Sequence, residues 1–120
     1  MITELLKTLE QELIKHKDFI IHVEDIEDII TKIEIILESL LKLQPIKISY
    51  RLTDQVSIDL CAVLNNNETI FVEYYLPINN LKTTTKEEVF VNYNPEINRN
   101  KLLWSGDLEL SLNKIETIKM

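Results

Sequence analysis

The sequence predicts an α+β fold in which two N-terminal helices pack on one face of an antiparallel sheet of four to six strands, a two-layer arrangement. Apolar residues recur at helical spacing as far as residue 44, and after Pro45 they alternate with polar residues as they do in strands. The 120 residues match the commonest size of one domain. We therefore expect a single domain over 1–120, helical over 2–44 and β-rich over 46–120.

Two helices account for the apolar spacing in the first third of the chain. The apolar residues of the first helix recur at steps of three and four: Ile2, Leu5, Leu6, Leu9 and Leu13. The second has the stronger pattern, because its apolar residues from Val23 to Leu43 form a stripe about 160° wide at roughly 100° per residue. Pro45 ends this helix, since the residue before a proline avoids the α region. The segment between the helices, Phe19–His22, fits a turn or a short strand equally well.

A three-stranded antiparallel meander is predicted next, over residues 46–52, 56–64 and 70–76. Every second position of each strand is apolar, as expected when one face of a sheet packs on a core. We expect turns at Thr53–Gln55 and at Asn65–Asn67, where asparagines supply the left-handed conformations that glycine would otherwise provide.

The sequence after the meander is less regular. A fourth strand is predicted over Glu88–Tyr93, where valines and a tyrosine alternate with polar or aromatic residues. It lies between a polar loop over 78–86 and a second loop over 94–100 that contains Pro95.

The last twenty residues are expected to extend the sheet. The segments Leu102–Trp104 and Leu108–Leu112 flank Ser105 and Gly106, which predicts a hairpin around the glycine. The tail from Ile115 to Met120 is a candidate final strand.

A single glycine, Gly106, excludes several functions. The phosphate loop, the dinucleotide-binding fingerprint and the nucleophile elbow each need two or more glycines at fixed spacing.

The lone Cys61 excludes an intramolecular disulfide and fits a reducing compartment. No apolar run reaches the roughly 18 residues of a membrane span, and Met1–Glu4 has an acid where a signal peptide has its basic region. We therefore expect a cytoplasmic protein without membrane contact.

Candidate chemical groups are few and scattered. His16 and His22 do not share a helical face, and neither has a third metal ligand nearby in sequence. Cys61 is predicted on the outer sheet face, away from any histidine base. Asp59 and Glu73 are expected there too, where nearby cations favour cross-strand charge pairs over acid–base catalysis. We expect no enzyme, no cofactor and no metal site.

Acidic residues are concentrated in the N-terminal third of the chain. The net charge is −7, and residues 1–45 carry ten acids against five bases. Such a chain repels a phosphate backbone, so no direct nucleic-acid binding is expected. One arc of roughly 120° on the second helix collects acidic residues around one isoleucine: Glu24, Glu27, Asp28, Glu34, Ile35 and Glu38. This arc is either a solvated helix face or a docking surface for a basic protein.

A second candidate surface is the sheet face that points away from the helices. Its apolar residues by alternation are Val63, Phe71, Tyr75 and Phe90. Monomers seldom expose large apolar patches. Either the C-terminal segment folds over these residues, or they form an interface with a partner, most simply in a twofold homodimer.

Residue usage indicates an AT-rich genome of the kind found in many viruses and mobile elements. Ile, Asn and Lys are abundant, whereas arginine occurs only at Arg51 and Arg99 and alanine only at Ala62. With the concentrated acidity, this predicts a non-enzymatic protein of a virus, phage or mobile element. It would inhibit a basic, nucleic-acid-handling host protein through the acidic helix arc. The alternatives are a self-associating structural or accessory protein, homodimeric through the outer sheet face, and an immunity protein that neutralises a toxin.

Overall fold

In the residues that a computed structural model describes, three helices and a five-stranded antiparallel sheet build the fold. The structure describes residues 2–15, 23–53, 57–64, 68–76, 78–79, 84–85, 88–96 and 99–118. The helices are α1 (Ile2–Lys15), α2 (Val23–Leu41) and α3 (Leu108–Thr117). The strands are β1 (Lys47–Thr53), β2 (Ser57–Val63), β3 (Thr69–Tyr75), β4 (Ile78–Asn79), β5 (Thr84–Thr85), β6 (Glu88–Glu96) and β7 (Arg99–Gly106). The predicted α+β fold, with two N-terminal helices before an antiparallel sheet, is confirmed.

The end of α2 follows from the sequence around Pro45. The N–H of Leu43 donates to the carbonyl of Leu40 at 3.0 Å, and that of Gln44 donates to Leu41 at 3.0 Å. These bonds satisfy carbonyls that the last helical turn leaves without partners. Gln44 then takes a left-handed conformation with φ 55°, which turns the chain into β1.

The sheet has the order β1-β2-β3-β6-β7, and β4 pairs with β5 in a separate hairpin. All described pairings are antiparallel, so the predicted meander over β1, β2 and β3 is confirmed. In register, Ile48 lies opposite Ala62, and Leu60 opposite Val72, which in turn lies opposite Val91. Because side chains alternate along a strand, these apolar residues share one face, which we call the inner face.

Helices and the inner face contribute to one hydrophobic core. Its helical members include Leu9, Leu13, Ile26, Ile29, Ile33, Ile36, Leu37, Leu40 and Ile115, and its strand members include Ile58, Leu60, Ala62, Ile70, Val72, Tyr74, Val89 and Val91. Fully burying one such side chain contributes roughly 1.5–3 kcal/mol. α2 also contacts both α1 and α3, so it is the central helix of the three.

The C-terminal prediction was wrong, because residues 108–117 form a helix and not a strand. Gly106 ends β7 with φ 154°, and Asp107 caps the helix that follows. The expected hairpin at Gly106 is therefore a junction between a strand and a helix. The region over 46–120 is β-rich only as far as this junction, and Leu108–Leu112 and Ile115 belong to α3.

The predicted loop over 94–100 is also shorter than expected. β6 continues through Pro95 to Glu96, and β7 begins at Arg99. The register between these two strands shifts between Tyr93 and Glu96, and a sheet tolerates proline at such an irregularity. The segment Phe19–His22, residues 54–55 of the predicted turn Thr53–Gln55 and the predicted turn Asn65–Asn67 lie outside the described residues. The single domain over 1–120 stays a prediction.

Candidate protein-binding surfaces

The exposed side of α2 carries the acidic residues that the sequence placed on one arc. Its buried stripe runs from Ile26 through Ile33 to Leu40, and each of these residues is at most 2% exposed. The opposite side exposes a set that we call the acidic face: Glu27, Asp28, Glu34, Ile35 and Glu38. Glu24 lies in the first turn of the same helix, outside the described side chains. On α2 the helical period thus puts the buried apolar residues and the exposed acidic residues on opposite sides.

Few bases neutralise the acidic face. Asp28 forms an ion pair with Lys32 at 3.1 Å, one helical turn away. Lys42 follows Glu38 by four residues, but its Nζ lies 3.7 Å from Oε1 of Glu116 on α3. Among the described residues, no ion pair joins Glu27, Glu34 or Glu38 to a base. Their negative charge therefore faces solvent.

An apolar side chain lies within this acidic surface. Ile35 is 40% exposed, although isoleucines elsewhere on α2, such as Ile33 and Ile36, are fully buried. A protein-binding surface commonly combines apolar contact area with charges that surround it. The acidic face has both components on one helix.

The second surface is the sheet face opposite the core, which we call the outer face. The register brings together Cys61 with Phe71, Asp59 with Glu73, and Glu73 with Phe90 on this face. The apolar residues predicted for it, Val63, Phe71, Tyr75 and Phe90, all lie on it by the same alternation. Phe71 is 36% exposed, and the other three are half-buried.

A shallow depression of about 340 Å³ lies at the centre of the outer face, lined by Arg51, Asp59, Phe71, Glu73 and Asn92. Arg51 Nη2 lies 3.3 Å from Asp59 Oδ2. The hydroxyl of Tyr75 donates to Glu73 Oε2 at 3.0 Å. This hydrogen bond, the charge of Glu73 and partial burial raise the pKa of Tyr75. The depression thus combines an aromatic ring with charges of both signs.

The register shows what the alternation pattern alone missed. Asp59 and Glu73 stand directly opposite each other on adjacent strands, which places two like charges side by side. Of the two bases on β1, Arg51 lies opposite Asp59, whereas Lys47 lies opposite Val63. Asp59 receives further support from Ser57, whose hydroxyl donates to Asp59 Oδ1 at 3.2 Å. The sequence signal for this register is the predicted turn at 65–67: positions at equal distance from it on β2 and β3 pair with each other.

The C-terminal segment does not cover the outer face, which corrects one of the two interpretations of its apolar residues. Ser111 Oγ of α3 lies 3.5 Å from the carbonyl oxygen of Val89 on β6. Ile115, also on α3, is fully buried in the core with the residues of the inner face. The helix therefore packs on the inner face beside α2, and Phe71 stays exposed.

The candidate chemical groups remain apart. Partial burial raises the pKa of the Cys61 thiol, and the positive charge of Lys47 opposes this effect only in part. The thiol is thus less readily ionised than an ordinary cysteine. His16 and His22 lie outside the described residues. In the part of the chain that the structure describes, no three histidine, cysteine or acidic side chains group as a metal site would need.

Comparison with known proteins adds no relative: no protein-family model, no curated protein and no solved structure matches this chain. None of the described helices is long and apolar enough to cross a membrane.

Proposed function

We propose that this chain is a non-enzymatic protein-binding protein whose acidic face docks on a basic surface of another protein. One observation carries the proposal: three exposed carboxylates that pair with no base among the described residues share the outward side of α2 with an exposed isoleucine. A merely solvated helix face needs no apolar residue, whereas a docking surface uses one as contact area.

Charge and apolar contact have separate roles in this binding. The carboxylates of Glu27, Glu34 and Glu38 attract a basic partner and speed encounter, an effect that weakens as salt is added. Ile35 is then removed from water by the partner, which slows dissociation. On a helix the Cβ atoms of residues four apart, such as Glu34 and Glu38, lie roughly 5–6 Å apart, so their carboxylates can engage one basic patch together.

The most specific form of the proposal concerns a partner that handles nucleic acid. A surface built to bind phosphates also attracts a row of carboxylates, so the acidic face would occupy it and exclude the nucleic acid. Such a protein would act in the cytoplasm of a host cell, as an inhibitor encoded by a virus, phage or mobile element. The AT-rich residue usage supports this origin. A toxin with a basic surface would be bound through the same face.

A competition experiment tests the proposal. Bacterial lysate is loaded on a resin of double-stranded DNA, and the washed resin is eluted with the wild-type chain at low salt. We expect the chain to release at least one basic protein, because it competes with DNA for the same surface. The variant Glu27→Gln, Glu34→Gln, Glu38→Gln should release that protein at least ten-fold less efficiently.

A matched variant controls for net charge. Glu4, Glu10 and Glu109 are exposed and lie off the acidic face, so Glu4→Gln, Glu10→Gln, Glu109→Gln changes the charge by the same amount. This control should release the protein as the wild type does. Equal release by both variants, or no release by the wild-type chain, would contradict docking through the acidic face.

A further inference from the structure

Strand β1 lies at one edge of the five-stranded sheet, and no described strand pairs with its outward side. In the order β1-β2-β3-β6-β7 it has β2 as its one neighbour. An edge strand directs the N–H and C=O groups of every second residue away from the sheet, so about half of its seven residues can pair with a further strand. We propose that this edge binds an extended acidic segment of another protein, which adds a strand to the sheet beside β1.

The pairing of β1 is regular, as strand addition requires. All seven of its residues pair with β2 in one register, from Lys47 opposite Val63 to Thr53 opposite Ser57. The strand contains neither proline nor glycine. At the other edge, the register of β7 against β6 shifts twice. Such irregularities turn an edge away from straight pairing, so β1 is the better template of the two edges.

The inner side of β1 leaves apolar surface partly uncovered. Ile48, Tyr50 and Leu52 point to the inner face and pack against the core, but they are only half-buried. The inner-face residues of the neighbouring strand β2 are fully buried: Ile58, Leu60 and Ala62. β2 has a strand on each side, whereas β1 has one on a single side. A strand added beside β1 would therefore remove further apolar surface from water, provided that its own inward side chains are apolar.

The outer side of β1 favours acidic side chains on the added strand. Its two bases, Lys47 and Arg51, are exposed, and β1 carries no acid. No described acid lies within ion-pair distance of Lys47. Arg51 contacts Asp59 through Nη2 alone, at 3.3 Å, so its other N–H groups can donate to a second carboxylate. Side chains directly opposite on paired strands have Cβ atoms roughly 4.5–5.5 Å apart, close enough for ion pairs with both bases.

The same bases disfavour a second copy of β1 as the occupant of the edge. Two β1 strands paired with each other would bring four bases to one face of the joined sheet, and like charges on paired strands are destabilising. Lysine and arginine on an edge prevent self-pairing in this way. The edge therefore discriminates against its own copy while it attracts a strand of opposite charge.

Helix α1 determines which side of the added strand can be acidic. The hydroxyl of Tyr50 donates to the Glu12 carboxylate of α1, so a negative charge already lies over the inner side of β1. An acid on the inner side would meet this charge and lose its hydration, whereas on the outer side it meets two bases. A shift by one residue exchanges the two sides, so the register is specified. The ligand is thus a segment of about seven residues in which acidic and apolar residues alternate.

Fluorescence anisotropy of a labelled peptide tests the proposal. The probe is an acetylated and amidated peptide in which valine and glutamate alternate over seven residues, the length of β1. We expect saturable binding to the wild-type chain, although the net charge of −7 repels an acidic peptide in general. Peptides with glutamine in place of glutamate, or serine in place of valine, should bind at least ten-fold more weakly. If the glutamate peptide does not bind, or if all three bind equally, the proposal is wrong.

Methylation of the peptide backbone separates strand addition from contacts made by side chains alone. One version of the peptide carries N-methyl groups on its glutamates, and another carries them on its valines. Only one of these two sets of N–H groups can face β1. One version should therefore lose binding, while the other retains most of it. Equal binding or equal loss in the two versions contradicts strand addition.

Variants of the chain locate the binding site. Lys47→Gln with Arg51→Gln removes both bases of the edge and should weaken binding of the glutamate peptide at least ten-fold. The matched control is Lys7→Gln with Lys114→Gln, because both lysines are exposed, on α1 and α3, and the net charge changes by the same amount. This control should bind as the wild type does. An equal loss in both double variants would assign the effect to net charge and overturn the proposal.

Light scattering during size-exclusion chromatography decides between a partner strand and a second copy. The glutamate peptide should leave the number of chains in each particle unchanged. If it converts a dimer of twice 14.1 kDa into the monomer, β1 of a second copy is the occupant and the proposal fails. The proposed function is measured separately, through Glu27, Glu34 and Glu38 on α2, so each of the two proposals can fail without the other.

Discussion

At the scale of single residues, the junction before α3 shows how one glycine is used. Gly106 has φ 154°, in the range that favours glycine because a Cβ would clash with the backbone. The next residue, Asp107, accepts a hydrogen bond from the N–H of Leu110 at 2.9 Å through Oδ1. The main-chain carbonyl oxygen of Asp107 also accepts a hydrogen bond from the Ser111 hydroxyl at 2.8 Å. Together these two residues convert the end of a strand into the start of a helix.

We predict that Asp107→Ala lowers the free energy of unfolding by about 1 kcal/mol, because the N–H of Leu110 then loses its acceptor. Asp107→Asn should retain most of the stability, since the amide oxygen still accepts this hydrogen bond. Urea unfolding at neutral pH measures both variants. Equal losses in Ala and Asn variants would show that the cap is not the cause.

At the scale of elements, Tyr50 connects β1 of the sheet to α1. Burial raises the pKa of Tyr50 to about 12, helped by its hydrogen bond to the Glu12 carboxylate and by the negative charge of that group. The hydroxyl donates and the carboxylate accepts, so the bond needs the protonated tyrosine. Tyr93 of β6 has a similar arrangement, in which its hydroxyl donates to Glu68 Oε2 at 2.9 Å.

The Tyr50 bond predicts a specific loss of stability at alkaline pH. An unfolded tyrosine titrates near pH 10, whereas the folded chain retains the proton to about pH 12. The contribution to stability is therefore complete below about pH 10 and is lost as the pH rises towards 12. Urea unfolding at about pH 9 and pH 11.5 should show a larger decrease for wild type than for Tyr50→Phe. Parallel decreases would exclude Tyr50 as a source.

An element can be predicted from sequence when the spacing of its own apolar residues is enough to define it. The helix α2 and the strands β1 to β3 were predicted because their apolar residues follow one period from end to end. The sequence does not predict α3, although Leu108, Leu112 and Ile115 lie at steps of four and three, because a lone glycine between apolar segments is also typical of a hairpin turn. The actual signal was Asp107, a preferred cap residue directly before the apolar spacing.

The two candidate surfaces also differ in how far local sequence patterns predict them. The acidic face lies on one helix, so the helical period alone placed Glu27, Glu34 and Glu38 together. The depression on the outer face joins Arg51, Phe71 and Asn92 from three strands. Its geometry depends on strand order and register, which arise from pairing between distant parts of the chain. Alternation could therefore place residues on the outer face but could not make them neighbours.

At the scale of the whole molecule, helices and sheet depend on each other through one core. Leu9 of α1, Ile33 of α2, Ile115 of α3 and Val72 of β3 are all fully buried in the same cluster. Neither the helices by themselves nor the sheet by itself can bury these side chains. The chain should therefore unfold as one cooperative unit, as expected for a single domain.

Two spectroscopic signals test this cooperativity. Far-UV circular dichroism follows the helices, and the fluorescence of the only tryptophan, Trp104, follows β7. Both should give one urea transition with the same midpoint when they are measured on the same samples. Ile115→Ala removes a fully buried side chain of α3 and should lower the free energy of unfolding by about 2–5 kcal/mol in both signals equally. If the variant shifts only one signal, or if the wild-type midpoints differ, the helices and the sheet fold as separate units.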